Sequence, residues 1–80
     1  MKLSVYSLKQ ILFQGNAVSL NVKTVMGEIT VLDNHETLIT VLSAGVLKVV
    51  DLNKKEFNFP INSGFLEVKP GNEVRCIVEQ

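Results

Sequence analysis

Gly27-Glu28-Ile29-Thr30-Val31-Leu32-Asp33-Asn34-His35-Glu36-Thr37-Leu38 reads as a turn, a strand, a polar loop and a second strand. The loop carries the only histidine of the chain, His35, between Asp33 and Glu36. Any chemistry here would use that loop. Without chemistry, the same loop is the first candidate for a recognition surface. The segment that follows, Thr37-Leu38-Ile39-Thr40-Val41-Leu42, could be a helical turn, but its short length and β-branched content favour a strand.

Outward from this stretch the dominant period is two. Val18, Leu20 and Val22 alternate with Ser19, Asn21 and Lys23, the pattern of a half-buried strand. Leu3 and Val5 alternate less cleanly with their neighbours. Phe57, Phe59 and Ile61 alternate with Asn58 and Pro60, and Val74, Cys76 and Val78 with Arg75 and Ile77. Pro60 predicts an edge strand or a bulge, because proline cannot donate to a ladder. Turn signals fall at Gln14-Gly15-Asn16, Met26-Gly27, Asp33-Asn34, Ser43-Ala44-Gly45, Asn53-Lys54-Lys55, Asn62-Ser63-Gly64 and Pro70-Gly71-Asn72. This punctuation predicts an all-β fold, a two-sheet β-sandwich of about eight to ten short strands. No stretch carries a helical stripe.

The chain has 80 residues, so residues 1–80 form a single domain with a small core. A deep cleft or a large cofactor does not fit that size, and no cofactor is expected. Eight basic and eight acidic residues cancel, which gives no support to nucleic-acid binding. Cys76 is the single cysteine, so no internal disulfide can form, and it reads as a small apolar core residue. The N-terminus lacks the apolar run of a signal peptide, and no run approaches a membrane span. These features predict a cytosolic protein, or one held at a membrane only through other proteins.

Asp33, His35 and Glu36 could ligate a metal, but zinc sites want three or four ligands in spaced sets and here there is one histidine. His35 could act as a general base oriented by Asp33, yet no serine sits in a nucleophile motif. A loop histidine that makes a backbone hydrogen bond and shapes the turn is the simpler reading, and Asp33 and Asn34 suit such a turn. A partner-contacting loop is the third. Gly15, Gly27, Gly64 and Gly71 are dispersed, form no phosphate-cradling motif, and read as turn glycines with positive φ. Phe13, Phe57, Phe59 and Phe65 read as core rather than as a base-stacking platform.

Taken in order, Phe13-Gln14-Gly15, Val18 to Val22, Gly27-Glu28, Leu32 to Leu38, Gly45-Val46-Leu47-Lys48-Val49, Gly64-Phe65-Leu66-Glu67-Val68 and Asn72-Glu73-Val74 resemble the N-terminal β-sandwich domain of the epsilon subunit of F-type ATP synthases, called delta in mitochondria. The resemblance covers nearly the whole chain. It implies a ten-stranded sandwich and a non-catalytic rotor subunit of the central stalk. The implied partners are the gamma subunit and the polar loops of the membrane c-ring. Glu28 matches the family's acidic turn residue, and Asn34-His35 match its loop pair. With Asp33 and Glu36 they form the expected partner interface, with roles of contact and shape.

The chain also departs from that pattern. The family loop commonly reads Leu-Pro-Asn-His-Ala-Pro-Leu. Here Asp33 and Thr37 stand at the proline positions and Glu36 at the alanine, so two rigid φ angles are lost and two acids gained. Lys23 stands where a proline is frequent, and Thr30 where a glycine is usual. The two-helix C-terminal domain of many family members lies beyond the resemblance, so no nucleotide site is expected in these residues. The expected location is peripheral, on the cytoplasmic side of a bacterial plasma membrane, with no direct membrane insertion. The rival readings are an unrelated small β-sandwich that binds peptide or carbohydrate, and a small metal-dependent enzyme centred on His35.

Overall fold

The computed structural model describes residues 1–80, and every regular element is a strand. The strands are β1 (Lys2–Tyr6), β2 (Ile11–Thr24), β3 (Gly27–Leu32), β4 (Leu38–Leu42), β5 (Gly45–Asp51), β6 (Glu56–Ile61), β7 (Ser63–Lys69) and β8 (Glu73–Glu79). They form one hydrogen-bonded path, β1-β8-β7-β4-β2-β5-β6, with β3 also on β2 and β1 closing back onto β2.

The length of β2 explains how one path makes two layers. Fourteen residues of straight strand would run about 46 Å, yet the longest dimension of the domain is 26 Å. The strand must bend. Its first half pairs with β1, as in Leu3 with Gly15, and its second half with β3 and β5, as in Leu20 with Val31 and Val49. The register slips between Ala17 and Ser19, which is where a bulge lets a strand turn. One layer is therefore β3-β2-β5-β6 and the other β4-β7-β8-β1-β2. Thr24 meets Leu42 where the layers touch again. All pairings are antiparallel except β1 with β8.

Sixteen buried apolar residues form one cluster between the layers, fifteen from the eight strands together with Met1 ahead of β1. Leu3 and Val5, Leu20 and Val22, Leu47 and Val49, and Val74, Cys76 and Val78 supply it at period two, as the sequence predicts. Phe13 meets Phe57 edge-on at 5.3 Å and Phe57 stacks on Phe59 at 6.5 Å, and together they pack against the core on the β2–β6 side. Pro60 lies on β6, which pairs only with β5, so it does occupy an edge strand.

Several expectations need correction. Gln14-Gly15-Asn16 is no turn but the interior of β2. The real turn lies at Ser7–Gln10, which has neither glycine nor proline; there Ser7 N donates to the Gln10 carbonyl at 2.9 Å and Ser7 Oγ accepts from Lys9 N and Gln10 N. Val18 is exposed and Ala17 buried in its place, because the bulge breaks the alternation. Gly64 lies in β7 without a positive φ; a Cβ there would come within 2.5 Å of the Ile77 carbonyl oxygen, so it is glycine for want of room. Phe65 points outward, 57% exposed. Eight strands stand where the resemblance implies ten, with β2 serving both layers as a single element.

Candidate functional site

The Asp33–Thr37 loop arches from β3 in one layer to β4 in the other. Asn34 takes φ 61°, a left-handed conformation that asparagine tolerates better than most residues. Three groups from distant parts of the chain meet here. Asn72, in the β7–β8 turn, accepts the Asn34 N–H at 2.8 Å through Oδ1, and its Nδ2 donates to Asp33 Oδ1 at 3.3 Å. The Met1 ammonium also donates to Asp33 Oδ1, and to the Ala17 carbonyl at 2.9 Å. The hydrogen bond from the ammonium, and then that from Asn72, hold the Asp33 carboxyl below its ordinary pKa of 3.8.

His35 Nδ1 donates to the carbonyl of Glu36 at 2.8 Å, so the ring braces its own loop and carries a proton on Nδ1. His35 and Glu36 are both exposed. No three histidine, cysteine, aspartate or glutamate side chains converge anywhere in the domain. Cys76 is fully buried, and burial pushes its thiol up to about 12, far from a reactive thiolate.

The structure brings Asp33, Asn34, His35 and Glu36 together but leaves Glu28 apart. Glu28 sits one residue inside the β2–β3 hairpin, at the opposite end of β3 from the loop. Five residues of strand put about 16 Å between the two. Glu28 accepts from Asn21 Nδ2 at 3.1 Å, and the same amide reaches Thr30 Oγ1 at 2.9 Å.

The outer faces of the two layers differ. On the β3-β2-β5-β6 layer two rows are polar: Glu28 opposite Lys23, and Thr30, Asn21, Lys48 and Asn58 in line. On the other layer Val41, Phe65, Ile77, Tyr6 and Ile11 line up across five strands. Ile39, 74% exposed, flanks this row, and Leu8 closes a shallow depression with Val41, Phe65 and Ile77. This apolar row was not identified from the sequence. Its signal was present, since Ile39, Val41, Phe65 and Ile77 are apolar at positions between core residues, but only the register shows that they meet.

A family model described as ATP synthase, Delta/Epsilon chain, beta-sandwich domain matches residues 1–80. In the cryo-EM structure of the Euglena gracilis mitochondrial ATP synthase, OSCP/F1/c-ring in rotational state 1, one chain aligns with a TM-score of 0.92 at 22% identity, covering 100% of this chain and 51% of that one. In the Tetrahymena thermophila mitochondrial ATP synthase central stalk and c-ring, one chain aligns with a TM-score of 0.84 at 15% identity, covering 100% of this chain and 63% of that one. At these identities the likeness establishes the fold. This chain spans less than two thirds of the length of either.

Proposed function

Since the chain belongs to the β-sandwich domain family of ATP synthase delta and epsilon chains, we propose that it is a non-catalytic central-stalk subunit that couples c-ring rotation to the gamma subunit and the catalytic head. The match across residues 1–80 carries this reading. It favours no unrelated peptide- or carbohydrate-binding module. The subunit turns over no substrate. It transmits torque by joining two partners through a body that deforms little.

The fold suits that work. Both layers share β2 and one core, so neither slides past the other without breaking the strand ladder. The apolar row around Phe65 is the face for gamma, because an interface centre needs apolar side chains free of charge. The loop residues Asp33, Asn34, His35 and Glu36, together with Glu28, meet the ring. Because the two groups lie at opposite ends of β3, one flat partner reaches both only if that edge strand lies along it. Thr30 and Leu32, both exposed on β3, then join the contact. The location is peripheral, on the cytoplasmic side of a bacterial plasma membrane. Both solved relatives come from mitochondria, so cell fractionation decides this point.

Glu28→Lys and His35→Ala test the ring contact. In an assembled enzyme each lowers proton pumping per ATP hydrolysed, while the isolated domain melts as the parent does. Normal coupling in both variants removes these residues from the mechanism.

A further inference from the structure

The Asp33–Thr37 loop contains no proline and no glycine, so nothing in its covalent structure fixes its pose. Beyond the strand ladders it is tied to the domain only through Asp33 and Asn34. Both ends of the Asn72 side-chain amide are committed to these two residues. The oxygen takes the Asn34 N–H at 2.8 Å and the nitrogen gives to the Asp33 carboxylate at 3.3 Å. The partners fix the amide in one orientation, because a flip would set oxygen against carboxylate and N–H₂ against N–H. The Asn72 carbonyl also accepts the Lys2 N–H at 2.9 Å. One residue therefore joins the β7–β8 turn, the start of β1 and the arch between β3 and β4. Asn72 itself sits at φ 60°, after Gly71 at φ 82°.

We propose that Asn72 is the positioning residue of the partner-facing loop: it holds Asp33 and Asn34 so that His35 and Glu36 are presented in one pose. This rests on the reading of that loop as a contact with the c-ring. Asn72 need not touch the partner. Its effect passes through the loop.

The test uses the 80-residue chain and the assembled enzyme in parallel. Asn72→Gly keeps a residue that tolerates φ 60° and removes only the side chain. In amide hydrogen exchange followed by NMR, the Asn34 N–H of this variant exchanges up to about tenfold faster, the scale of one lost hydrogen bond, while core amides of β5 and β8 keep their rates. In the assembled enzyme, Asn72→Gly lowers proton pumping per ATP in step with His35→Ala. An unchanged Asn34 exchange rate overturns the positioning role. So does a freed Asn34 with normal pumping while His35→Ala pumps poorly, since the pose is then irrelevant. If Asn34 is freed and both variants pump normally, the reading of the loop as a ring contact falls, and the positioning role with it.

Discussion

Asp33 stands at a position where the resembling family pattern has proline, and its carboxylate is the acceptor on which the Met1 ammonium and Asn72 converge. Its pKa in the folded protein lies below the unfolded value, so the stability it contributes is fully present above pH 3.8 and is lost as pH falls through the folded value. Thermal melts taken at falling pH should show a drop in midpoint below pH 3.8 that is smaller in Asp33→Asn. Equal drops in both proteins would mean that the pairing does not survive in solution. Cys76 gives a second residue-scale expectation. Its thiol, pushed up to about 12 by burial, should react with a thiol reagent at pH 8 only as the domain unfolds, so labelling should accelerate along the urea transition. Fast labelling of the folded domain would contradict its place in the core. That place was legible in the sequence, since Cys76 alternates with Arg75 and Ile77. The Asn72 contact was not, because a hydrogen bond between a turn and a loop so far apart in the chain leaves no local pattern.

At the scale of elements, the period-two signal located most strands, and the turn signals located most of their ends. The failures have separate physical causes. Gln14-Gly15-Asn16 looks like a turn, but Gly15 sits opposite Leu3 in the β1 ladder, and pairing overrides local turn chemistry. Ser7–Gln10 is a turn without turn glycines because a serine hydroxyl supplies the acceptor for two backbone N–H groups. Gly64 shows the other way a glycine can matter. Its neighbour across the ladder is Val78, and a methyl group would lie 3.0 Å from Val78 Cα and 2.5 Å from the Ile77 oxygen. Gly64→Ala should therefore destabilise the domain by about 1–3 kcal/mol, the usual cost of forcing a group into a filled space. Urea denaturation measures this as a lower midpoint at constant slope. An unchanged midpoint would show that β7 and β8 can separate at this point without loss.

For the whole molecule, the sequence predicted two layers and one core but not which outer face is apolar. Alternation distinguishes inside from outside on each strand. It does not show that Val41, Phe65, Ile77 and Tyr6 fall in one row, since that depends on the register of β4, β7, β8 and β1. If this row seats the gamma subunit, Phe65→Lys and Ile39→Lys should abolish co-purification with gamma. Both residues are largely exposed, so the isolated domain should lose no more than about 1 kcal/mol. Asn58→Lys on the opposite, polar face should leave co-purification intact. Binding that survives the first pair, or is lost with the third, would move the interface to another surface.

The parallel pairing of β1 with β8 bears on how the domain is made. Leu3 lies beside Val74 and Val5 beside Cys76, so β1 finds one of its two neighbours only when β8 has been made. Until then β1 leans on β2 alone, and the layer it belongs to has an open seam. Contacts this distant in sequence make folding slow, on the order of milliseconds to seconds for β-rich domains of this size. The nascent domain should therefore stay exposed to chaperones and proteases at least until Glu73–Glu79 has emerged.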